Sequence, residues 1–399
     1  MLSYVLKERI SMKAWAIILI IVVAVAAIAG AALYLNSNGG DGPQPGPEPE
    51  STPLSNMYIV TSGGAPITNK EDYVDCQVTI DDDDNPLSNE SGKIRGRGNT
   101  TWAYDKKPYN IKFDSKVDPF GMGASKKWCL LADYADVSLM RNYLVLNTAD
   151  AIGCKFTPAC HHVNLYLNGE YQGVYLLTEK VEIGKNRVNI DDSATDDDIG
   201  FLAELDIYSA IGGDDPAFRI GTYTYVVKDP DVTPEQTKIV ERKVAEAFEA
   251  LDSGDWSRVT EVIDVDTFVS TYIIEELFKD ADVYWSSFFI YHDLGGKIGS
   301  GPIWDFDKST ANLTAKHVAA DTSDYKTLLA VKNPWYSALL KYDEFKDLLS
   351  KELLRCKSII LSELDACYEY AWSHHKDFKK NFTLWEYESL HGFLISFSG

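Results

Sequence analysis

The chain has 399 residues, 60 of them acidic and 38 basic, for a net charge of -22. That surplus of carboxylates disfavours nucleic acid as a partner and suits basic proteins or divalent cations. Hydrophobic residues make up 45%, enough for a sizeable core, and the length exceeds one average domain.

Residues 1–13 form a short segment bearing Lys7, Arg9 and Lys13. The next run, 14–35 (AWAIILIIVVAVAAIAGAALYL), is uncharged. As a helix rising about 1.5 Å per residue it would reach roughly 33 Å, enough to cross a bilayer. Basic residues precede it and no Lys or Arg follows before Asn56, so the positive-inside rule leaves the first 13 residues in the cytoplasm and the remainder outside. The expectation is a single-pass signal-anchor, with an extracytoplasmic, cell-surface domain. A cleaved signal peptide is the alternative, because small residues abound around Ala29–Ala32. Residues 36–56, rich in Gly, Pro and Ser, read as an extended linker. Residues 57–399 then read as one compact unit.

Within that unit, MYIVTS, CQVTI, GKIRGRG and YNIKF are short β-prone runs set off by turn residues. A helix fits SLMRNYLVLNTADAIG, where Leu139, Tyr143, Leu146 and Ala149 recur at helical spacing and Gly153 supplies a stop. A hairpin with Asn168-Gly169 at its turn follows. Later segments are mostly helical: Pro234–Leu251, Asp266–Lys279 and the region Tyr342–Tyr370. A strand-rich lobe therefore precedes a helical one. Six cysteines are sparse for this length and form no CxxC, which argues against a zinc ribbon or a dithiol redox motif, while an external location permits disulfides.

The acidic runs at 81–84 and 191–198 read as solvated loops, since the first lacks the glycine and terminal glutamate of a calcium loop. His161 and His162 read as structural. The turn RGRGNTTW brings Arg95 and Arg97 beside two glycines, so that guanidinium groups and backbone amides approach an anion closely. Lys112, in NIKF, sits in a strand much as a kinase strand lysine does, with Lys107 as its rival. One of the two is expected within salt-bridge range of a helix carboxylate. Between 275 and 307 come Asp280 and Asp282 at a helix end, an apolar hairpin, and then Asp305 and Asp307 in WDFD. Helix end, strand, turn and strand can bring Asp282 and Asp305 together, the pairing that phosphoryl transfer needs: one carboxylate near the acceptor hydroxyl and another on a metal ion.

These stretches, with KKWCLLADYADVSLMRNYL, VNLYLNGEYQGVYLLTEKVEI, GFLAELD and YVVKDPD, resemble in order the CotH family of atypical, spore-coat-type protein kinases across roughly residues 57–310. The resemblance implies an α+β, divergent protein-kinase-like two-lobed fold, with a strand-rich N-lobe and a mostly helical C-lobe. It also implies transfer of the ATP γ-phosphoryl group to Ser or Thr of proteins with Mg²⁺ or Mn²⁺. Asp282 then matches the catalytic-loop Asp, Asp305 the metal-binding Asp, and Asp307 an auxiliary metal ligand. Arg95, Arg97, Lys107 and Lys112 fall where triphosphate contacts are expected, and Arg141 and Glu179 are further motif positions of the nucleotide site. The family commonly has Asn where Asp280 stands, and KSTANLT follows WDFD in place of a small residue and Gly. The acidic surface implies a basic, Ser/Thr-rich protein substrate. Two other readings use the same acids: a catalytically decayed surface-binding or scaffold module, and a Mg²⁺-dependent hydrolase that activates water.

Overall fold

A computed structural model describes residues 50–207, 216–229, 231–310, 312 and 326–385. The first seven strands are β1 (Asn56–Thr61), β2 (Val74–Asp81), β3 (Leu87–Gly96), β4 (Tyr109–Val117), β5 (Ser125–Leu131), β6 (Cys160–Leu167) and β7 (Glu170–Glu179). They close into a barrel in the order β1-β2-β3-β4-β5-β7-β6. Closure comes from β1, which pairs antiparallel with β2 and parallel with β6. Burial alternates along β1, as a strand facing a core on one side requires. Met57, Ile59, Val78, Ile94, Ile111, Trp128, Leu165 and Leu177 fill the interior.

This closed barrel replaces the kinase-like strand-rich lobe expected from the sequence. The local runs specify the strands, but closure rests on pairing Asn56 with Asn164, a contact that no local pattern reports. The two-lobed kinase-like arrangement is therefore set aside. The expected membrane span, 14–35, lies outside the described residues. Among the described residues no helix is long and apolar enough to cross a membrane. The longest, Asp343–Ser373, carries acidic and basic side chains throughout its 31 residues. Single-pass anchoring thus finds no span in the described structure and is withdrawn.

The helix expected after the fifth strand is α1 (Arg141–Ile152), ending at Gly153 in the left-handed conformation. The expected hairpin joins β6 to β7 through Asn168 and Gly169. A second sheet of five strands runs β12-β11-β8-β10-β9. Its members are β8 (Phe201–Leu205), β9 (Ala217–Ile220), β10 (Tyr223–Val227), β11 (Phe288–His292) and β12 (Ile298–Ser300). Helices α2 (Pro234–Asp252), α3 (Trp256–Val262), α4 (Val265–Leu277), α5 (Pro334–Leu339), α6 (Asp343–Ser373) and α7 (His375–Leu384) pack with it into one core around Phe268, Phe278, Trp335 and Tyr336. A capping box of Thr233 and Gln236 starts α2. Helix α4 is buried on nearly every side, so it is an interior helix, and its C-terminus delivers Asp280 and Asp282 to the site.

The barrel and helices are joined through rings. His162 on β6 stacks with Tyr143 and Tyr370 and meets Phe378 edge-on. Helix α7 lies against β7, where Val174 N–H donates to Asn381 Oδ1 at 3.0 Å and Trp385 Nε1 donates to Gln172 O at 2.9 Å. All six cysteines are free thiols.

Burial holds the His162 imidazole down at about 3, against the opposing bond to Leu139 O, whereas the unfolded chain titrates near 6.5. A depressed folded value gives stability that is complete above pH 6.5 and is lost as pH falls toward 3. The slope is about 1.4 kcal/mol per pH unit for each such histidine. Denaturant unfolding between pH 7 and pH 4 is expected to show this loss, and His162→Gln to reduce its slope. Equal slopes would remove His162 as the cause.

Candidate active site

The segment after α4 and the segment after β12 meet at the ion pair of Asp282 and Lys308, and Arg97 of the glycine turn that follows β3 reaches Trp304. Asp282 accepts a hydrogen bond from Lys308 Nζ at 2.8 Å. Asp305 accepts one from Ser287 Oγ at 3.3 Å. Asp307 is 6% exposed, and Asp280 is 2% exposed. Asp280 Oδ1 accepts from the backbone N–H of Asp282, which fixes the turn presenting that carboxylate. Asp282 and Asp305, expected to come together, both act on the Lys308 ammonium, and the Asp282 charge bears on the Asp305 carboxyl.

Charges in this cluster shape one another. Burial, and then the charge of Asp282, push the Asp305 carboxyl above the usual carboxylate range, while Arg97, Lys308 and the Ser287 hydroxyl pull it back. Burial and the neighbouring Asp305 push Asp307 well above that range. Burial opposes the Lys308 charge, but Asp282, Asp307 and Asp305 together outweigh it and hold its ammonium above the ordinary lysine value. Asp133, in the turn after β5, is raised to about 7 by burial and by Asp136, and its Oδ2 has no hydrogen-bond partner.

Backbone conformation marks the same place. Of the ten non-glycine residues at positive φ among the described residues, Asp133, Lys279, Ser287, Asp305 and Thr310 lie in or beside the segments that form this cluster. Asp305 itself lies at φ 69. Such strain persists where surrounding structure over-determines it, and it gathers at functional sites.

The loop bearing these acids is clamped from α1. Arg141 forms a buried ion pair with Asp136, and its Nε and Nη2 donate to the carbonyls of Ser309 and Thr310 at 3.0 and 3.3 Å. Next to it, Asn142 accepts from Phe306 N–H at 2.8 Å and donates to Asp133 Oδ1 at 2.8 Å. Arg141 thus holds the loop in place, a role its motif position alone does not reveal.

Only Arg97 among the expected phosphate contacts reaches the cluster. Its guanidinium lies 5.5 Å from the Trp304 ring centre and tempers Asp305. The glycine turn beside it is tight: a Cβ at Gly98, at φ 83, would overlap Thr101 Oγ1. Arg95 instead lies over Tyr73 at 4.5 Å and donates to Glu71 O. Lys107 donates to Trp102 O at 2.9 Å. Lys112 is exposed on the barrel, opposite Lys93 and Lys127. Neither lysine makes the expected ion pair with a helix carboxylate among the described residues. Strand β4 alternates faces, and Lys112 falls on the outer one, while Lys107 precedes the strand. Lys106, next to Lys107, is fully buried and donates to Val174 O, with burial lowering its pKa to about 7 against the pull of Asp133 and Asp136. Glu179 pairs with Arg187 and accepts from Ala159 N–H at 3.0 Å. It therefore serves the end of the barrel.

Residues overlooked in the sequence are Lys308, Asp133, Asn142 and Ser287. Each falls inside or directly beside a stretch that carries the resemblance, but no spacing rule singles them out. Among the described residues no three His, Cys, Asp or Glu side chains converge tightly enough to hold a metal unaided. Mg²⁺ needs only one or two protein carboxylates, completed by phosphate and water. The hard oxygens of Asp305 and Asp307, both raised in proton affinity by burial and then by neighbouring negative charge, fit that donor set.

Fold and cluster together define a protein built from a closed barrel and a helix-covered sheet, with a mixed-charge carboxylate centre where the two meet. The family model described as CotH kinase protein matches residues 94–375, and the chain belongs to that family. No curated protein matches it significantly.

Replacing Arg141 by Met should leave Asp136 buried without its partner and cost about 3–5 kcal/mol. Urea unfolding measures this. Adding Asp136→Asn to Arg141→Met should recover part of the loss, and no recovery would mean that the ion pair is not its source.

Proposed function

We propose that the chain is an ATP- and divalent-ion-dependent protein kinase that transfers the γ-phosphoryl group to serine or threonine hydroxyls. The observation that carries this reading is the gathering of Asp282, Asp305, Asp307 and Lys308 in one cluster, with Arg97 beside it. Family membership supports the same chemistry. The substrate that suits a net charge of -22 is a basic, Ser/Thr-rich protein.

In this reading Asp282 lies beside the acceptor hydroxyl and takes its proton as the oxygen attacks the γ-phosphorus and the bond to the ADP oxygen breaks. Lys308 holds the Asp282 carboxylate in one orientation by its 2.8 Å bond. Asp305 and Asp307 would hold the divalent ion, which supplies neutralisation of the charge on the phosphate oxygens. Arg97 adds a cation on the side of the glycine turn. Catalysis of this kind is mostly positioning and electrostatics, so a clamped loop is of direct use.

The alternative of a decayed binding or scaffold module draws on the placement of Lys107 and Lys112 away from the acids. One assay separates the two. The full-length chain is incubated with γ-labelled ATP, Mg²⁺ or Mn²⁺ and a basic Ser-rich protein, beside Asp282→Asn and Asp305→Asn. Label on the wild type is expected, with about a 10²–10⁴-fold lower rate for Asp282→Asn and metal-dependent transfer lost in Asp305→Asn. No label and no nucleotide binding under either metal would establish the binding module.

A further inference from the structure

The phosphate-side cations expected from the sequence lie mostly elsewhere, yet a second lysine is linked to Asp305 through two intervening side chains. Lys228 directly follows β10, and its Nζ pairs with Glu204 Oε2 on β8 at 2.8 Å. Glu204 Oε1 accepts from Ser287 N–H at 3.2 Å, and Ser287 Oγ donates to Asp305 Oδ2 at 3.3 Å. A continuous polar chain therefore runs from Lys228 through Glu204 and Ser287 to Asp305. Backbone pairing locks its members in place: Val226 faces Glu204 across β10 and β8, Phe289 faces Glu204 across β11 and β8, and Lys228 N–H donates to Leu202 O at 2.8 Å.

The exposure of the pair is asymmetric. The Glu204 side chain is 13% exposed, while that of Lys228 is 32% exposed, so the acid lies inside and the ammonium reaches toward solvent. A carboxylate on the central strand of a sheet is costly to bury, and a buried ion pair is weak support for stability compared with an apolar pair. Orienting a cation explains the arrangement better. Lys180 is close enough to Lys228 to feel its charge, and Arg97 lies on the other side near Asp305. Arg97 and Lys308 thus temper the carboxylate proposed to hold a divalent ion, and Lys228 is tied to it through Glu204 and Ser287, a surrounding that suits a polyphosphate chain.

We infer that Lys228 contacts the triphosphate of the nucleotide, and that Glu204 is the positioning residue that aims it and links it through Ser287 to Asp305. This rests on the kinase reading above. It assigns to the sheet the phosphate-binding lysine that the sequence placed on the barrel.

The test titrates ATP with Mg²⁺ into the full-length chain by calorimetry, beside Lys228→Met, Lys228→Gln, Lys228→Arg and Glu204→Gln, with melting temperatures as the control for folding. Lys228→Met and Lys228→Gln should weaken ATP binding about tenfold or more. AMP binding should stay nearer the wild-type value, and Lys228→Arg should recover much of the ATP affinity. In the transfer assay Glu204→Gln should raise KM for ATP more than it lowers kcat. Wild-type ATP affinity in both Lys228→Met and Lys228→Gln overturns the inference, and leaves the kinase reading standing if Asp305→Asn still abolishes transfer. Failure of the wild type to bind ATP with either Mg²⁺ or Mn²⁺ removes the kinase reading and this assignment with it.

Discussion

An ion pair sealed from water, Arg141 with Asp136, fastens the turn after β5 to the loop that carries Asp305 and Asp307. Arg141 reaches the carbonyls of Ser309 and Thr310, while Asp136 also accepts from the backbone of Ser138 and Arg141. A guanidinium suits this position because its planar fork serves a carboxylate and two carbonyls at once, which a lysine ammonium does less well. Asn142 adds the next link by accepting from Phe306 N–H. Through these two adjacent residues at the start of α1, the barrel and the acidic loop are held in one frame, and the Asp305 backbone is kept at its left-handed conformation. The placement of Asp305 and Asp307 depends on that frame.

Local physics made much of the framework legible. Alternating apolar residues mark β1, helical spacing with a glycine stop marks α1, and Asn168-Gly169 marks a tight hairpin. What a local pattern does not carry is closure. Nothing in MYIVTS says that it pairs with residues 164–167, and without that contact seven strands read as an open lobe. The expected membrane span has a different status, since 14–35 falls outside the described residues. A hydropathy run describes a segment, and among the described residues no helix extends that description into a span.

The site divides in the same way. Asp282, Asp305 and Arg97 were singled out because phosphate chemistry calls for acids and cations in a known order, and the charges of Asp282 and Arg97 both bear on Asp305. Lys112 was misleading for a geometric reason: a strand in a closed barrel points alternate side chains inward and outward, and a single residue decides which. Lys106 is buried and Lys112 exposed, although both lie in the run KKPYNIK. Lys308 and Ser287 were silent because their importance comes from the neighbours that the fold gives them, Asp282 for one and Asp305 and Glu204 for the other.

Crowding several carboxylates in a partly dry space raises the free energy of the charged state of each, and the protein meets that cost with cations set at its borders. Lys308 serves Asp282, Arg97 tempers Asp305, and Lys106 tempers Asp133. Asp307 is nonetheless driven well above the ordinary range, and Asp133 Oδ2 has no hydrogen-bond partner, so the balance is incomplete. A purely structural cluster would be expected to close its hydrogen bonds, as the Arg141 and Asp136 pair nearly does. A residual excess of negative charge, tempered by Arg97 and linked through Ser287 and Glu204 to Lys228, suits the nucleotide of the proposed kinase: the positive ion to the acids, the anionic chain to the bases.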